Sequence, residues 1–302
     1  MPESPAPSAA APAARPSRPL KAFAWMLGAI ASFAAMAVAG REIQVEMNTF
    51  ELMLYRSAIG FAVIAAIVLA SRRPGEIVAT RHPWLHVRRN AAHYLGQNLW
   101  FYAVTLVPLG QLAALEFTNP IWVVLLAPFF LAETMTPARL VAAALGFAGV
   151  LIVAQPGAGP FGSGQAAALG AGLAFAFNTI YTRRIMAFDP VLCVLFWMTL
   201  SQGLASLVLS LPGGVPVPSA AVAPWLAVVG LTGLTAHYCL TSALANAPAS
   251  VVAPMEFLRL PVVATLGMIV YHEPLRLSVF VGAAVIVVGN LVGIRAARRG
   301  AA

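Results

Sequence analysis

The stretch LAALEFTNPIWVVLL, residues 112–126, places three unusual residues inside a run of apolar side chains. Glu116 and Asn119 are polar, and Pro120 removes a hydrogen bond from any helix that contains it. A charged side chain at the centre of a membrane helix costs about 2.5–3.5 kcal/mol on insertion scales, so it is expected to face a partner or a watery cavity. The stretch predicts a membrane-spanning segment that lines a polar interior.

The whole chain has the composition of an integral membrane protein. Of its 302 residues, 60% are hydrophobic and 9% are charged, against about 45–50% and about 25% in soluble domains. Apolar stretches long enough to cross ~30 Å of hydrocarbon recur along the chain. The ten predicted spans are 22–40, 50–70, 91–107, 111–131, 138–154, 166–182, 190–211, 222–246, 250–270 and 277–294. Because lipid offers the backbone no hydrogen-bond partners, the expected fold class is all-α with ten transmembrane helices.

The distribution of positive charge predicts the orientation of these helices. With a cytoplasmic amino terminus, 14 of the 18 Lys and Arg residues fall on the inner side. This asymmetry predicts a multi-pass protein of the bacterial inner membrane with both termini in the cytoplasm. The Arg-rich segment 81–89 is interpreted as a collar at the lipid surface rather than a nucleic-acid site. Residues 1–21 are a Pro, Ala and Ser tail expected to be disordered, and residues 295–302 form a short basic tail.

An internal repeat divides the chain into two related halves, residues 22–154 and 166–294. A shift of 140 residues aligns several distinctive positions, namely Glu116 with Glu256, Phe117 with Phe257, Glu133 with Glu273 and Gly149 with Gly289. Each half holds five predicted helices, an odd number, so the second half must enter the membrane in the opposite orientation. Inverted repeats of this kind are typical of secondary transporters, which bind their substrates near the membrane midplane between the halves.

Residues 22–294 also resemble the EamA family of the drug/metabolite transporter superfamily. The resemblance is carried by the number of spans and by Arg56, Glu133, Gly149, Glu273 and Gly289. It implies ten helices in two inverted five-helix repeats. It also implies transport of amino acids, other metabolites, vitamins or nucleoside-like compounds such as riboflavin or S-adenosylmethionine.

Four charged residues inside predicted spans are candidates for the transport pathway. Glu116 has no charged neighbour within one helical turn, which suits binding of a substrate ammonium group or uptake of a proton. Glu256 and Arg259 are three positions apart on one helix face, so they either neutralise each other or join the pathway. Arg56 either binds a substrate carboxylate or extends to the outer headgroups.

Amides and aromatic rings within the spans would suit flat or amphipathic organic solutes. Further candidate pathway residues are Tyr94, Gln97, Asn98, Trp100, Asn119, Asn178, Tyr181, His237 and Tyr238. The alternative is that they form hydrogen bonds between helices and aromatic belts at the membrane interfaces.

The motifs that are missing narrow the function. There is no GxxxxGK[ST], which excludes direct use of ATP, and neither HExxH nor GxSxG is present. The sequence predicts a secondary active transporter that moves a small organic metabolite by alternating access, without a cofactor or metal. Its expected partners are the substrate and the lipid bilayer, and one monomer contains a complete repeat pair. The alternative is a membrane-embedded enzyme acting on a lipid or small amphiphile, while the substrate, direction and proton coupling stay open.

Overall fold

The computed structural model describes residues 18–131, 137–155, 161–246, 255–256 and 258–299, and every regular element in these ranges is helical. The helices are α1 Pro19–Ile43, α2 Thr49–Leu69, α3 Pro74–Val78, α4 Pro83–Leu106, α5 Leu109–Glu116, α6 Asn119–Leu131, α7 Pro137–Ala154, α8 Ser163–Ile185, α9 Val191–Ser210, α10 Ala223–Asn246, α11 Arg259–Tyr271 and α12 Leu277–Arg299. The predictions for residues 1–17, 300–302 and Glu133 fall outside the described residues.

Several of these helices are long and apolar enough to cross a membrane. Four meet this standard in full within the described ranges, namely Leu20–Ile43, Thr49–Leu69, Val191–Gly213 and Ala223–Ala243. Three shorter apolar helices add Ala143–Val153, Arg259–Tyr271 and Leu277–Gly289. An all-helical chain with these apolar segments is consistent with a membrane protein, whereas the count of ten spans stays a prediction.

The helix α4 begins eight residues earlier than the sequence predicts. Pro83 occupies its first turn, where the missing N–H of proline costs no hydrogen bond, and the helix runs on to Leu106. The added turns place His86 and Arg89 on the same helix face as His93, which faces the bundle interior. Arg89 is 4% exposed. The prediction of a lipid-surface collar is therefore wrong for Arg89, although Arg81 and Arg88 are exposed.

The predicted span 111–131 is two helices rather than one. Pro120 has no N–H to donate to the carbonyl of Glu116, and the chain turns through Phe117 and Thr118 before α6 begins. The Thr118 hydroxyl donates to the carbonyl oxygen of Leu115 over 2.8 Å, which satisfies one of the carbonyls at the end of α5. In the second half, Leu258 lies in a turn and α11 starts at Arg259, 140 positions after the start of α6.

The main helix contacts join the two halves of the chain. The principal pairs are α1 with α10, α4 with α8, α2 with α9, and α7 with α12. Gly149 of α7 and Gly282 of α12 face each other where these helices cross. A Cβ atom added to either glycine would lie 2.6 Å from the carbonyl oxygen of the other. The two backbones can approach this closely only because neither residue has a side chain.

We expect Gly149→Ala and Gly282→Ala each to lower the thermal stability of the purified protein. Overpacking at such a contact costs about 1–3 kcal/mol. Gly75→Ala in α3 is the matched control, because nothing lies within 4 Å of its added Cβ atom. That change should be neutral or stabilising, since alanine favours helix by up to about 1 kcal/mol over glycine. Equal melting temperatures for all three variants would contradict the close crossing.

Candidate functional site

An ion pair joins the two interrupted helix regions. Arg259 Nη2 lies 3.0 Å from Glu116 Oε1, and the two side chains are 12% and 17% exposed. Glu116 is the last residue of α5 and Arg259 is the first residue of α11. The sequence suggested Glu256 as the partner of Arg259, because it is three positions away. The structure instead gives Arg259 a direct partner in the other half, while Glu256 is half-buried and feels the charges of both Arg259 and Glu116.

Aromatic side chains hold the members of this ion pair in place. Trp100 Nε1 donates a hydrogen bond of 2.9 Å to Glu116 Oε2, so both carboxylate oxygens are engaged. The Arg259 guanidinium carbon lies 4.8 Å from the ring centroid of Phe33 and 5.0 Å from that of Phe117. Cations at this distance from aromatic faces are attracted by the ring quadrupole. The carboxylate and the guanidinium are therefore fixed by helices of both halves.

A narrow cavity of about 230 Å³ lies beside this ion pair. Glu116, Arg259, Trp100 and Phe33 are among its lining residues, and the surface that they turn toward the cavity is apolar. Pockets for drug-sized ligands commonly measure about 300–1,000 Å³. The volume of about 230 Å³ includes space open to the outside, so the enclosed room is far smaller than a typical metabolite site, and aromatic side chains form part of its wall.

Arg56 of α2 points into the interior of the bundle. It is 5% exposed, and its Nη1 atom donates to Gln97 Oε1 over 3.0 Å. The alternative in which Arg56 extends to the outer headgroups is therefore wrong. Its position explains why, because Arg56 belongs to the buried stripe of α2 that also contains Leu52 and Gly60. The ring centroids of His93 of α4 and His237 of α10 lie 5.8 Å apart.

The other predicted pathway residues are spread along the interior. The Tyr94 hydroxyl and Ser206 Oγ are 2.8 Å apart, and Asn98 Nδ2 donates to the Tyr94 carbonyl over 2.9 Å. The side-chain oxygens of Asn98 and Asn178 are buried, and neither has a hydrogen-bond partner among the described residues. These two amides leave acceptors that a polar solute or water could satisfy.

The three remaining predicted residues differ in their surroundings. Asn119 is half-buried at the start of α6. Tyr181 packs edge-on against Phe130 of α6, with ring centroids 6.3 Å apart. The structure corrects the prediction for Tyr238, which is 64% exposed on the outside of the bundle. This residue directly follows His237 on α10, so the helix turn directs the two side chains differently.

A second ion pair was missed by the sequence reading. Arg41 Nη1 contacts Glu273 Oε1 across 232 positions, and the same guanidinium donates to the carbonyls of Val104 and Val107 over 2.7 and 2.9 Å. Glu273 Oε2 also accepts from the backbone N–H of Leu109 over 2.7 Å. We call Arg41 and Glu273 the clasp. The internal repeat held a signal for it, because the repeat shifts align Arg41 with Arg183 and Glu273 with Glu133.

His86 belongs to a buried link between α4 and α9. Its Nε2 atom lies 2.8 Å from Asp189 Oδ2, which also accepts from the Thr80 hydroxyl over 2.6 Å. His82, four positions before His86, packs against Phe188, with ring centroids 4.1 Å apart. The ligand atoms of His86, Asp189 and Cys193 lie within 4.8 Å of one another.

Comparison with known proteins gives the same family throughout the chain. The model of the EamA-like transporter family matches residues 20–155 and 162–294. A solved crystal structure superposes with a TM-score of 0.62 at 22% identity, covering 92% of this chain and 98% of the other. That likeness shows the fold alone.

The curated relatives are transporters and not enzymes. A riboflavin transporter of Rhizobium johnstonii is 27% identical and covers 92% of both chains. A riboflavin transporter of Brucella anthropi is 29% identical over 88% of this chain and 95% of its own. An S-adenosylmethionine uptake transporter of Rickettsia bellii is 23% identical over 88% of this chain and 91% of its own. The chain is an integral membrane protein and belongs to the EamA-like transporter family.

Proposed function

We propose that this chain is a secondary active transporter of the bacterial inner membrane that moves a small organic metabolite by alternating access. The relatives are named for transport of riboflavin and S-adenosylmethionine, which supports a small metabolite as the substrate class. The moving parts are two inverted five-helix repeats, residues 22–154 and 166–294. Both termini lie in the cytoplasm, an orientation supported by the exposed Arg73, Arg81 and Arg88.

Matching helix boundaries support the two inverted repeats. The helices α4 and α10 start and end 140 positions apart, and so do α6 and α11. The family model also matches the chain twice, once in each half. The helix contacts agree, because α1 with α10 and α4 with α8 are repeat-related pairs. The repeat relates α1 to α8 and α4 to α10, so a two-fold axis between the halves converts the contact of α1 with α10 into the contact of α8 with α4.

The single observation that carries the proposal is the ion pair between Glu116 and Arg259, whose side chains are only 17% and 12% exposed. Each of these residues stands where its helix is interrupted, one in each half. Many secondary transporters bind substrates where interrupted helices of two repeats meet. A buried ion pair adds little to stability compared with apolar packing, so its presence favours a functional role.

The arrangement suggests how a substrate would change the protein. A substrate cation or a proton competes with Arg259 for Glu116, and loss of this ion pair weakens the direct link between the halves. Flat ring systems can stack on Phe33 and Trp100, which line the same cavity. Because the cavity measures only about 230 Å³, the halves must separate on one side before a metabolite can enter.

The proposal is tested with purified protein in liposomes loaded with unlabelled riboflavin or S-adenosylmethionine. External radiolabelled solute should accumulate transiently by exchange, and Glu116→Gln should slow this exchange. Glu76→Gln is the control, because its ion pair with Arg73 is exposed and lies outside the bundle interior. The same assay is run with amino acids and nucleosides. If none of these solutes exchanges faster than it does in liposomes without protein, the transport proposal is contradicted. Conversion of a solute into a product would favour the enzyme alternative instead.

A further inference from the structure

A second polar cluster in the interior is made of two arginines and two histidines. Its members are Arg56 of α2, Arg89 and His93 of α4, and His237 of α10. Arg56, Arg89 and His93 are 5%, 4% and 2% exposed. Arg89 and His93 are one helical turn apart on α4, and the rings of His93 and His237 lie 5.8 Å apart. Arg56 lies beside Gly233, one turn before His237 on α10, so the four side chains share one region of the interior. We call these four residues the cationic cluster.

Neither arginine of the cationic cluster makes an ion pair within the described ranges, and the buried carboxylate of Asp189, near Arg89, is engaged by His86. Arg56 donates to the amide oxygen of Gln97, and its buried Nε atom has no hydrogen-bond partner. Arg89 donates to the Thr182 hydroxyl over 3.3 Å and to Asn90 Oδ1 over 3.1 Å. A buried charge without a partner is strongly unfavourable, so a protein that keeps two of them needs a compensating anion.

The neutral neighbours of the cluster are also poorly satisfied. Gln202 Nε2 lies 2.8 Å from His93 Nδ1, while Gln202 Oε1 is buried without a partner among the described residues. This amide and the Gln97 amide surround the cations with groups that can reorient. A bound anion would fill the empty hydrogen-bond capacity of Arg56 Nε.

Arg56 also lies close to the expected symmetry axis of the two halves. It contacts Gln97 of α4 and acts on His237 of α10, and these two residues occupy equivalent positions 140 apart. Gly233, the equivalent of His93, makes room for the guanidinium, because a Cβ atom there would lie 2.7 Å from Arg56 Nη2. Residues that meet equivalent positions of two inverted repeats are near the axis, where such transporters bind substrate.

We infer that the cationic cluster binds an anionic group, a carboxylate or a phosphate, of the transported solute. This inference rests on the proposed function and narrows its substrate class to organic anions. The planar guanidinium of Arg56 presents paired N–H donors that match either oxyanion, and Arg89 supplies the second charge. The aromatic cavity beside Glu116 and Arg259 then receives the rest of the molecule.

Matched solutes that differ in one anionic group test the inference. Riboflavin 5′-phosphate is compared with riboflavin, and indole-3-acetate with indole-3-acetamide, by thermal shift of the purified protein at constant ionic strength. A ligand that binds only the folded state raises the melting temperature. We expect at least one anionic member to stabilise the protein more than its neutral partner, and the better anion distinguishes phosphate from carboxylate. Equal shifts within both pairs, or no shift from either anion, would overturn the inference.

Variants of Arg56 separate binding from folding. Without ligand, Arg56→Met should melt no lower than the parent, because it removes an unpaired buried charge. Arg56→Met should bind the anion at least about tenfold more weakly than the parent protein. The affinity of Arg56→Lys should lie between those of the parent and Arg56→Met, because lysine keeps the charge but lacks the paired N–H donors. Arg73→Met, at the exposed residue just before α3, is the control, and this variant should bind the anion as tightly as the parent protein does. If Arg56→Met binds the anion as tightly as the parent protein does, Arg56 is not part of an anion site.

The two proposals fail in different ways. If anions bind through Arg56 but no solute exchanges across liposomes, the transporter proposal fails and the anion site stands. If neutral and anionic members exchange equally well in both the parent and Arg56→Met, the anion site fails and the transporter stands.

Discussion

Arg259→Met should destabilise the folded protein by about 3–5 kcal/mol, the range for removing one partner of a buried ion pair. The variant leaves the Glu116 carboxylate largely shielded from solvent, with the Trp100 N–H as its direct partner among the described residues. Glu116→Gln should cost less, because it leaves no carboxylate without its partner and its amide oxygen can still accept from Arg259 or Trp100. Thermal unfolding of the purified variants measures the difference. We also expect solute exchange to fall in both, since each removes the contact that links the interrupted helices.

The double variant decides which carboxylate is the partner of Arg259. Combining Glu116→Gln with Arg259→Met should give a coupling energy between about 0.5 and 3 kcal/mol, as expected for residues in contact. The exposed pair Arg73 and Glu76 should couple by only about 0.3–0.5 kcal/mol. A larger coupling of Arg259 with Glu256 than with Glu116 would restore the pairing suggested by the sequence.

Arg41→Met should open the side of the protein that the clasp closes. Arg41 holds Glu273, two backbone carbonyls and the face of Tyr271, 4.5 Å from its ring centroid, so its loss frees α1 from both α4 and the link after α11. Gln111 lines a cavity of about 390 Å³ next to Glu273. The test compares Gln111→Cys with the double variant that also carries Arg41→Met. We expect the cysteine of the double variant to react faster with a membrane-impermeant maleimide added from outside.

Two controls accompany the clasp experiment. Tyr271→Phe removes one hydrogen bond of 2.8 Å to Glu42 and should change the labelling rate much less. Arg183→Met, at the position aligned with Arg41 by the repeat, should open the opposite side and should not accelerate outside labelling. Cys193 and Cys239 are buried, so background labelling should be low. An unchanged rate in Arg41→Met would show that the clasp does not close this side.

Much of the fold was predictable because its signals are local. Long apolar stretches predict membrane helices wherever they lie in the chain, and Pro120 marks an interruption because it lacks one N–H group. The errors were also local in origin. The predicted third span began at the first continuous apolar residues and omitted the turns from Pro83 to Asn90, because polar residues on the buried face of α4 look like loop residues by hydropathy.

The interior position of some charged residues was predictable from the sequence, but their pairing was not. The cost of polar groups in lipid indicated that Glu116 and Arg259 face a partner or a cavity, whereas it left the position of Arg56 open. Spacing along one helix suggested Glu256 for Arg259, because the sequence displays only neighbours three or four positions away. The partner in the structure is 143 positions distant and lies on a helix of the other half.

The sequence by itself determined that this protein is helical, lies in a membrane and belongs to a transporter family with a repeated unit. Only the tertiary structure decided that Arg259 meets Glu116, that Arg41 meets Glu273, and that Arg56 meets no carboxylate among the described residues. The physical reason is that hydropathy and proline effects act within one helix, whereas ion pairs depend on which helices pack together. Burial then makes each such pairing, or its absence, energetically important.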